Sequence, residues 1–145
     1  MSLGRFKKVS KMTLDHWLAR LSPLVLSLLR VMTGLLFLSH GMQKLLGFPP
    51  TESVPPIMSL SGIAGIIELV GGALITLGLF TRPTAFIASG MAAAAYFIAH
   101  APRDFFPINN GGETAILYCF IFLYLVFAGP GPVSLDRLVG GSRAH

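Results

Sequence analysis

Four long apolar runs, separated by short stretches rich in proline and glycine, leave this chain few ways to fold: they cover about residues 23–46, 57–80, 83–100 and 112–128. Runs of roughly 17 to 24 residues make about 25 to 36 Å of helix, which matches a hydrocarbon core of roughly 30 Å. The sequence shows no strand-length alternation, and lipid tolerates no open backbone, so the spanning element has to be helical. At 145 residues there is room for one domain. With 53% of residues apolar and 12% charged, a soluble fold of this size could not hide its apolar surface, and lipid has to cover it. The expected fold class is all-α: an integral membrane four-helix bundle with antiparallel neighbours.

The punctuation divides the chain into three parts. Residues 1–21 form a basic start, with about a dozen flexible residues and then a short interfacial helix capped by Thr13. That helix sets Leu14, Trp17, Leu18 and Leu21 on one face. Residues 22–129 hold the four spans. The first opens at Ser22-Pro23, a capping residue followed by proline at the first helical position, and ends before Pro49-Pro50. The break at Thr81-Arg82-Pro83 is so short that the second and third spans must be antiparallel neighbours. Gly129-Pro130-Gly131-Pro132 stops the fourth, and residues 130–145 form a tail. The first run is too long for a signal peptide and has no small-residue cleavage site, so it is expected to remain in the mature protein.

A net charge of +5 does not indicate a nucleic-acid binder, because no basic stripe continues along any helix. Arg5, Lys7, Lys8, Lys11 and Arg20 precede the first span, where they face anionic lipid on the cytoplasmic leaflet. Adding Arg82, Arg137 and Arg143 puts eight basic residues on the cytoplasmic side, against Lys44 and Arg103 on the other. That asymmetry predicts a multi-pass protein of a bacterial cytoplasmic membrane with both termini inside. The lone cysteine, Cys119, allows neither an internal disulfide nor a CxxC pair.

Ionisable residues inside apolar runs are the informative ones, since each is costly in lipid and faces the bundle interior. Counting about 1.5 Å per residue from the cytoplasmic end puts Arg30 at roughly 10 Å, Glu68 at 18 Å, Tyr96 at 20 Å and Glu113 at 22 Å. His40 and His100 both fall near 25 Å by the same count. Four helices thus deliver polar groups to the outer half of the membrane. Arg30, Gly34, Phe37, Gly41 and Lys44 follow one face of the first span, as Ser89, Ala92, Tyr96 and His100 do on the third. On the second, Ser61, Gly65, Glu68, Gly72 and Thr76 form a stripe of small and polar residues suited to close helix approach.

Each of these residues also has a plain structural reading. Lys44 and His100 lie in last turns, where cations complement the helix dipole and long side chains snorkel. Asn110 and Glu113 have capping-box spacing, and Arg30 can snorkel to the cytoplasmic surface. Glu68 has no such escape: near mid-depth it must be protonated, wet, or paired, with Arg30 below it or His40 above it in reach. For such a residue a functional site is the better default. No short His-x-x-His or His-x-x-x-His spacing supports a metal site at His40 and His100, and the alanine-rich third span leaves little space for haem. No metal is expected.

The stretch Arg30 to Lys44 (RVMTGLLFLSHGMQK), the segment Glu68-Leu-Val-Gly-Gly72 followed by Gly78-Leu-Phe-Thr-Arg82, and the turn Asn110-Gly-Gly-Glu113 together resemble the DoxX family of small four-helix membrane proteins. The resemblance runs from about Leu24 to Asp136. It implies a membrane subunit of a terminal-oxidase or quinone-linked redox system, with quinone as electron acceptor. Thiol chemistry, also associated with the family, fits poorly with a single cysteine.

The functional expectation is a subunit or accessory of a quinone-linked redox system whose pocket holds a quinone-like headgroup. Glu68, His40 and His100 are the catalytic candidates, and Arg30, Lys44, Tyr96, Asn110 and Glu113 the ligand-binding ones. Histidine and Tyr96 would hydrogen-bond the carbonyl oxygens, while Glu68 or Glu113 would exchange protons. Phe37 and Phe97 would take the isoprenoid side. Quinone is the one cofactor expected, and it is not intrinsic to the chain. The expected partners are the lipid bilayer, a redox partner subunit that carries the electrons, and further copies of the chain in an oligomer. Two alternatives are a non-catalytic scaffold and a small proton-coupled transporter of lipophilic compounds.

Overall fold

A computed structural model describes residues 3–140, with side chains from residue 14 onward. The basic cluster of Arg5, Lys7, Lys8 and Lys11, as side chains, and Arg143 lie outside what is described. The described residues are helical and contain no strand: α1 Leu3–Leu46, α2 Leu60–Leu77, α3 Thr81–Ala95, a π-helical turn Tyr96–His100, α4 Pro107–Asn110, α5 Glu113–Ala128 and α6 Leu135–Val139. α1 packs on α2, α2 on α3 and α3 on α5, with a lighter contact between α1 and α5.

Leu14–Leu46 and Leu60–Leu77 are each long and apolar enough to cross a membrane. Only 28% and 33% of their most apolar windows are buried, the opposite of a core helix in a soluble protein. Leu28, Leu36, Val70, Phe86, Phe97, Phe120 and Phe127 all point outward. The core is thin: Phe37, Ile75, Ala85, Ala88, Phe122 and Leu125. An outside more apolar than the inside is the pattern of an α-helical membrane protein.

The small residues on α1 and α2 set how closely the two helices approach. A Cβ at Gly72 would lie 2.6 Å from Leu38 Cα, and one at Gly34 would lie 3.0 Å from Thr76 Cα. Backbone therefore rests on backbone, and no larger side chain fits at either position. Thr76 turns its hydroxyl back on its own helix, donating to the Gly72 carbonyl at 2.7 Å.

Three expectations are corrected here. First, α1 is unbroken over 44 residues with Pro23 inside it, so no break at Ser22-Pro23 is found and the short interfacial helix is continuous with the first span. The carbonyl that Pro23 leaves unpaired belongs to Ala19, in an exposed turn where its cost is low. At about 66 Å, α1 is longer than a bilayer including its headgroups, roughly 40–45 Å.

Second, Arg30 neither snorkels nor joins the polar layer. It is 1% exposed, and its guanidinium fans out to main-chain carbonyls. Nε donates to Pro130 at 2.9 Å, Nη1 to Ile75 at 2.6 Å and Thr76 at 2.5 Å, and Nη2 to Val133. Ile75 and Thr76 carry the partial negative charge of the α2 C-terminus, so a buried cation sits there without a carboxylate in direct contact.

Third, the described part of what the sequence marks only as a tail folds back on the bundle. Gly78, at φ 67°, ends α2 and donates to the Ile75 carbonyl. Its own carbonyl accepts from Asp136 N at 2.8 Å. The Asp136 carboxylate accepts from Phe80 N at 2.7 Å and Thr81 N at 2.9 Å, capping α3. Arg82 Nη1 donates to the Val126 and Phe127 carbonyls at 2.5 and 2.9 Å, closing the end of α5. One end of the molecule is thus a set of capped helix termini, which leaves the opposite half to shape a cavity.

Candidate functional site

Four helices and the π turn line an open cavity of about 260 Å³ in the half of the protein away from the Arg30 clasp. α1 contributes Phe37, His40 and Lys44, one turn apart along a single face, and α2 contributes Glu68. Met91, Ala92 and Ala95 of α3 supply an apolar wall, and His100 closes it. α5 supplies Thr114, Ala115 and Tyr118.

Glu68 lies on the α2 face that packs against α1, and its side chain is only 9% exposed. Lys44 Nζ bonds to its Oε1 at 2.6 Å. Lys44, 30% exposed at its side chain, reaches inward to make this pair and does not snorkel. The expectation that Glu68 pairs with Arg30 or His40 is therefore corrected to Lys44. The close α1–α2 approach brings residues 44 and 68 level, while Arg30 is drawn to the C-terminus of α2, two turns further along. Glu68 Oε2 is buried and has no hydrogen-bond partner among the described residues. A buried carboxylate oxygen with nothing to accept from is costly, and it belongs to a residue that lines the cavity.

His100 reaches the cavity because of the π turn. Ala101 N bonds to the Tyr96 carbonyl at 2.9 Å, an i to i+5 bond that inserts one extra residue. Plain α-helical spacing would align Ala92, Tyr96 and His100; the wide turn aligns Ala95 with His100 and swings Tyr96 off the face. Tyr96 is absent from the cavity lining. Its ring lies where a Cβ on Gly112 would fall and packs edge-on against Phe97, with centroids 5.3 Å apart. His100 Nδ1 is 3.0 Å from the Asn110 carbonyl oxygen. A carbonyl only accepts, so Nδ1 carries a proton, and in the neutral ring Nε2 is then the acceptor.

Asn110 and Glu113 are also relocated. Asn110 is buried, but its side chain serves the backbone: Nδ2 donates to the Asp104 carbonyl at 2.9 Å, and Oδ1 accepts from Gly112 N at 2.8 Å. Gly111 at φ 70° ends α4, and α5 begins afresh after Gly112 with no side-chain cap. The capping box is therefore not formed. Glu113 is exposed in the first turn of α5, where its charge complements the dipole.

Tyr118 is the site residue that the sequence does not single out. It stacks on Phe122 at 5.6 Å, meets Phe37 at 5.4 Å and stands edge-on to His40 at 5.9 Å. Its only advance signal is that it lies one helical turn beyond Thr114 in the fourth run. Beside the cavity, across Met91, runs an almost wholly apolar groove of about 540 Å³ lined by Ile67, Ile87, Gly90 and Leu123 among others.

A family model described as DoxX matches residues 25–101. The chain belongs to the DoxX family. A Haemophilus influenzae protein named only as uncharacterized is 45% identical over 128 residues, covering 83% of this chain and 94% of its own length. Two Escherichia coli relatives are named inner membrane proteins. YphA is 30% identical over 79% of this chain and 90% of its own length, and YqjF 28% over 76% and 88%. No solved structure matches the chain. The matched segment contains His40, Lys44, Glu68 and His100, so the larger part of the cavity lies within the DoxX region.

Proposed function

We propose that this DoxX protein is a four-span bundle with both termini in the cytoplasm and that it serves as a quinone-binding accessory of a membrane redox system. The observation that carries the reading is the single cavity shared by His40, Lys44, Glu68, His100 and Tyr118, with one carboxylate oxygen left unpartnered. Its volume lies just under the roughly 300–1,000 Å³ usual for small-molecule sites, which suits one substituted ring. The groove beyond Met91 gives a lipophilic tail a route toward the membrane.

A quinone held there would carry two electrons and two protons between membrane partners, the electrons coming from a redox centre on a partner subunit. The chain's own residues bind and manage protons. The free N–H bonds of Lys44 and the Tyr118 hydroxyl donate to ring oxygens. Glu68 Oε2 and His100 Nε2 take up or release protons at the ring's edge. Phe37 and Tyr118 supply flat apolar contacts, and the Ala92 and Ala95 wall excludes water.

Mass spectrometry of the protein extracted in mild detergent tests this directly. Quinone, in either redox form, should co-purify with the wild type. A wild-type preparation that neither retains quinone nor takes up an added short-chain quinone would sink the proposal.

A further inference from the structure

We infer that the cavity selects the reduced, hydroxyl-bearing form of its ligand, an aromatic diol, over the quinone. The inference rests on the ring-binding reading above but adds a preference which that reading does not require.

The argument is a count of hydrogen-bonding partners. Glu68 is ion-paired through Oε1 with Lys44, and the second oxygen of a paired carboxylate only accepts. Its Oε2 is buried, lines no other contact and has no donor among the described residues. His100 has committed its Nδ1 proton to the Asn110 carbonyl, so Nε2 can only accept while the ring is neutral. The main chain cannot satisfy these atoms, because the walls between them are helices α3 and α5, whose interior N–H groups are used within the helices.

A quinone offers only acceptors: Lys44 and Tyr118 can donate to its carbonyl oxygens, but Glu68 Oε2 and His100 Nε2 stay without a donor. A hydroquinone offers two O–H donors while keeping the same ring and tail. One hydroxyl donates to Glu68 Oε2 while its oxygen still accepts from Lys44, and the other serves His100 Nε2. A buried site with unpaired polar atoms discriminates strongly against ligands that cannot pair them. A hydrogen bond to a charged acceptor corresponds to about tenfold or more in binding. Both interactions act on the reduced form alone, so binding raises the midpoint potential of the bound couple, by about 30 mV for each tenfold preference.

The test uses the full-length protein in phosphatidylcholine nanodiscs under anaerobic conditions. Three probes share one decyl tail: a benzohydroquinone, its dimethyl ether and the matching quinone. The hydroquinone should bind about tenfold or more tightly than both others, because the ether keeps the shape and loses only the two donors. In Glu68→Gln, whose amide presents an N–H, the preference should shrink toward parity. Equal binding of hydroquinone and ether, or tighter binding of quinone, overturns the inference and leaves the ring-binding reading standing. Binding of none of the three overturns both. Should Glu68→Gln fail to fold, the wild-type probe series decides alone, since it compares ligands and not variants.

Discussion

Arg30→Met tests whether the guanidinium holds the closed end of the molecule together. Four carbonyls accept from Arg30: Ile75, Thr76, Pro130 and Val133. Ile75 keeps a second donor in Gly78 N. Thr76, Pro130 and Val133 have no other donor among the described residues; a carbonyl left unsatisfied away from water costs about 1–3 kcal/mol, and these three are only partly buried, so each falls toward the low end. Methionine has nearly the same length and fills the space, so little cavity cost is added. The expected loss is about 3–5 kcal/mol, after some relief as water reaches the loop. At roughly 2–4 °C per kcal/mol for a chain near this size, Tm should fall by about 6–20 °C. The assay is thermal unfolding in one detergent, followed by hydrogen exchange. The Asp136 and Arg137 amides should lose protection, because the carbonyls that release Arg30 flank the turn into α6. Arg30→Lys should recover only part of the loss, since one ammonium cannot span carbonyls on α2 and on the loop after α5 together. A Tm within about 2 °C of wild type for Arg30→Met, with unchanged exchange at Asp136, would show the clasp to be incidental.

Further outcomes follow from the same structure. Lys44→Met leaves Glu68 buried and unpaired, so it should destabilise the protein by about 3–5 kcal/mol, whereas adding Glu68→Gln should restore a large part; additive losses in that cycle would refute the pairing. Gly72→Leu should abolish the α1–α2 approach and with it yield of folded protein, because its Cβ meets the Leu38 backbone. Gly90→Ala, with nothing within 4 Å of the added carbon, should be neutral or stabilise by up to about 1 kcal/mol in the same unfolding assay. For topology, a Cys119→Ser background carrying one cysteine at Leu138, and separately at Phe105, should react with an impermeant maleimide from opposite sides of the membrane, Leu138 from the cytoplasmic side. Labelling of both from one side would exclude the proposed arrangement.

The parts of this protein readable in its sequence are those fixed by local rules. Apolar run length gives helices that lipid must cover, and the helical period places Phe37, His40 and Lys44 along one face of α1. The sequence announces a short break between the second and third spans but sets it at Thr81-Arg82-Pro83; the structure puts the turn at Gly78 to Phe80 and begins α3 at Thr81. The unreadable parts depend on azimuth and on distant chain. Counting residues along an axis gives depth without rotation, and so it offers Arg30 or His40 as partners for Glu68 and passes over Lys44. Tyr96 and His100 share a face under α-helical spacing and part company only through the extra residue of the π turn. Pro23 reads as a helix start on propensity alone. Its position is settled by the continuity of α1, which loses one carbonyl bond in an exposed turn and keeps the rest of the ladder.

By itself the sequence determined that the chain is helical, that it belongs in a membrane, and that Glu68 needs a partner or a ligand, because desolvation and helix geometry act on each run separately. The choice of Lys44 as that partner, the carbonyl clasp on Arg30 and the entry of Tyr118 and His100 into one cavity were decided only by the tertiary structure. Each requires two or more helices at a definite rotation and separation, and those are set by backbone contact at glycines and by loops up to 103 residues away along the chain.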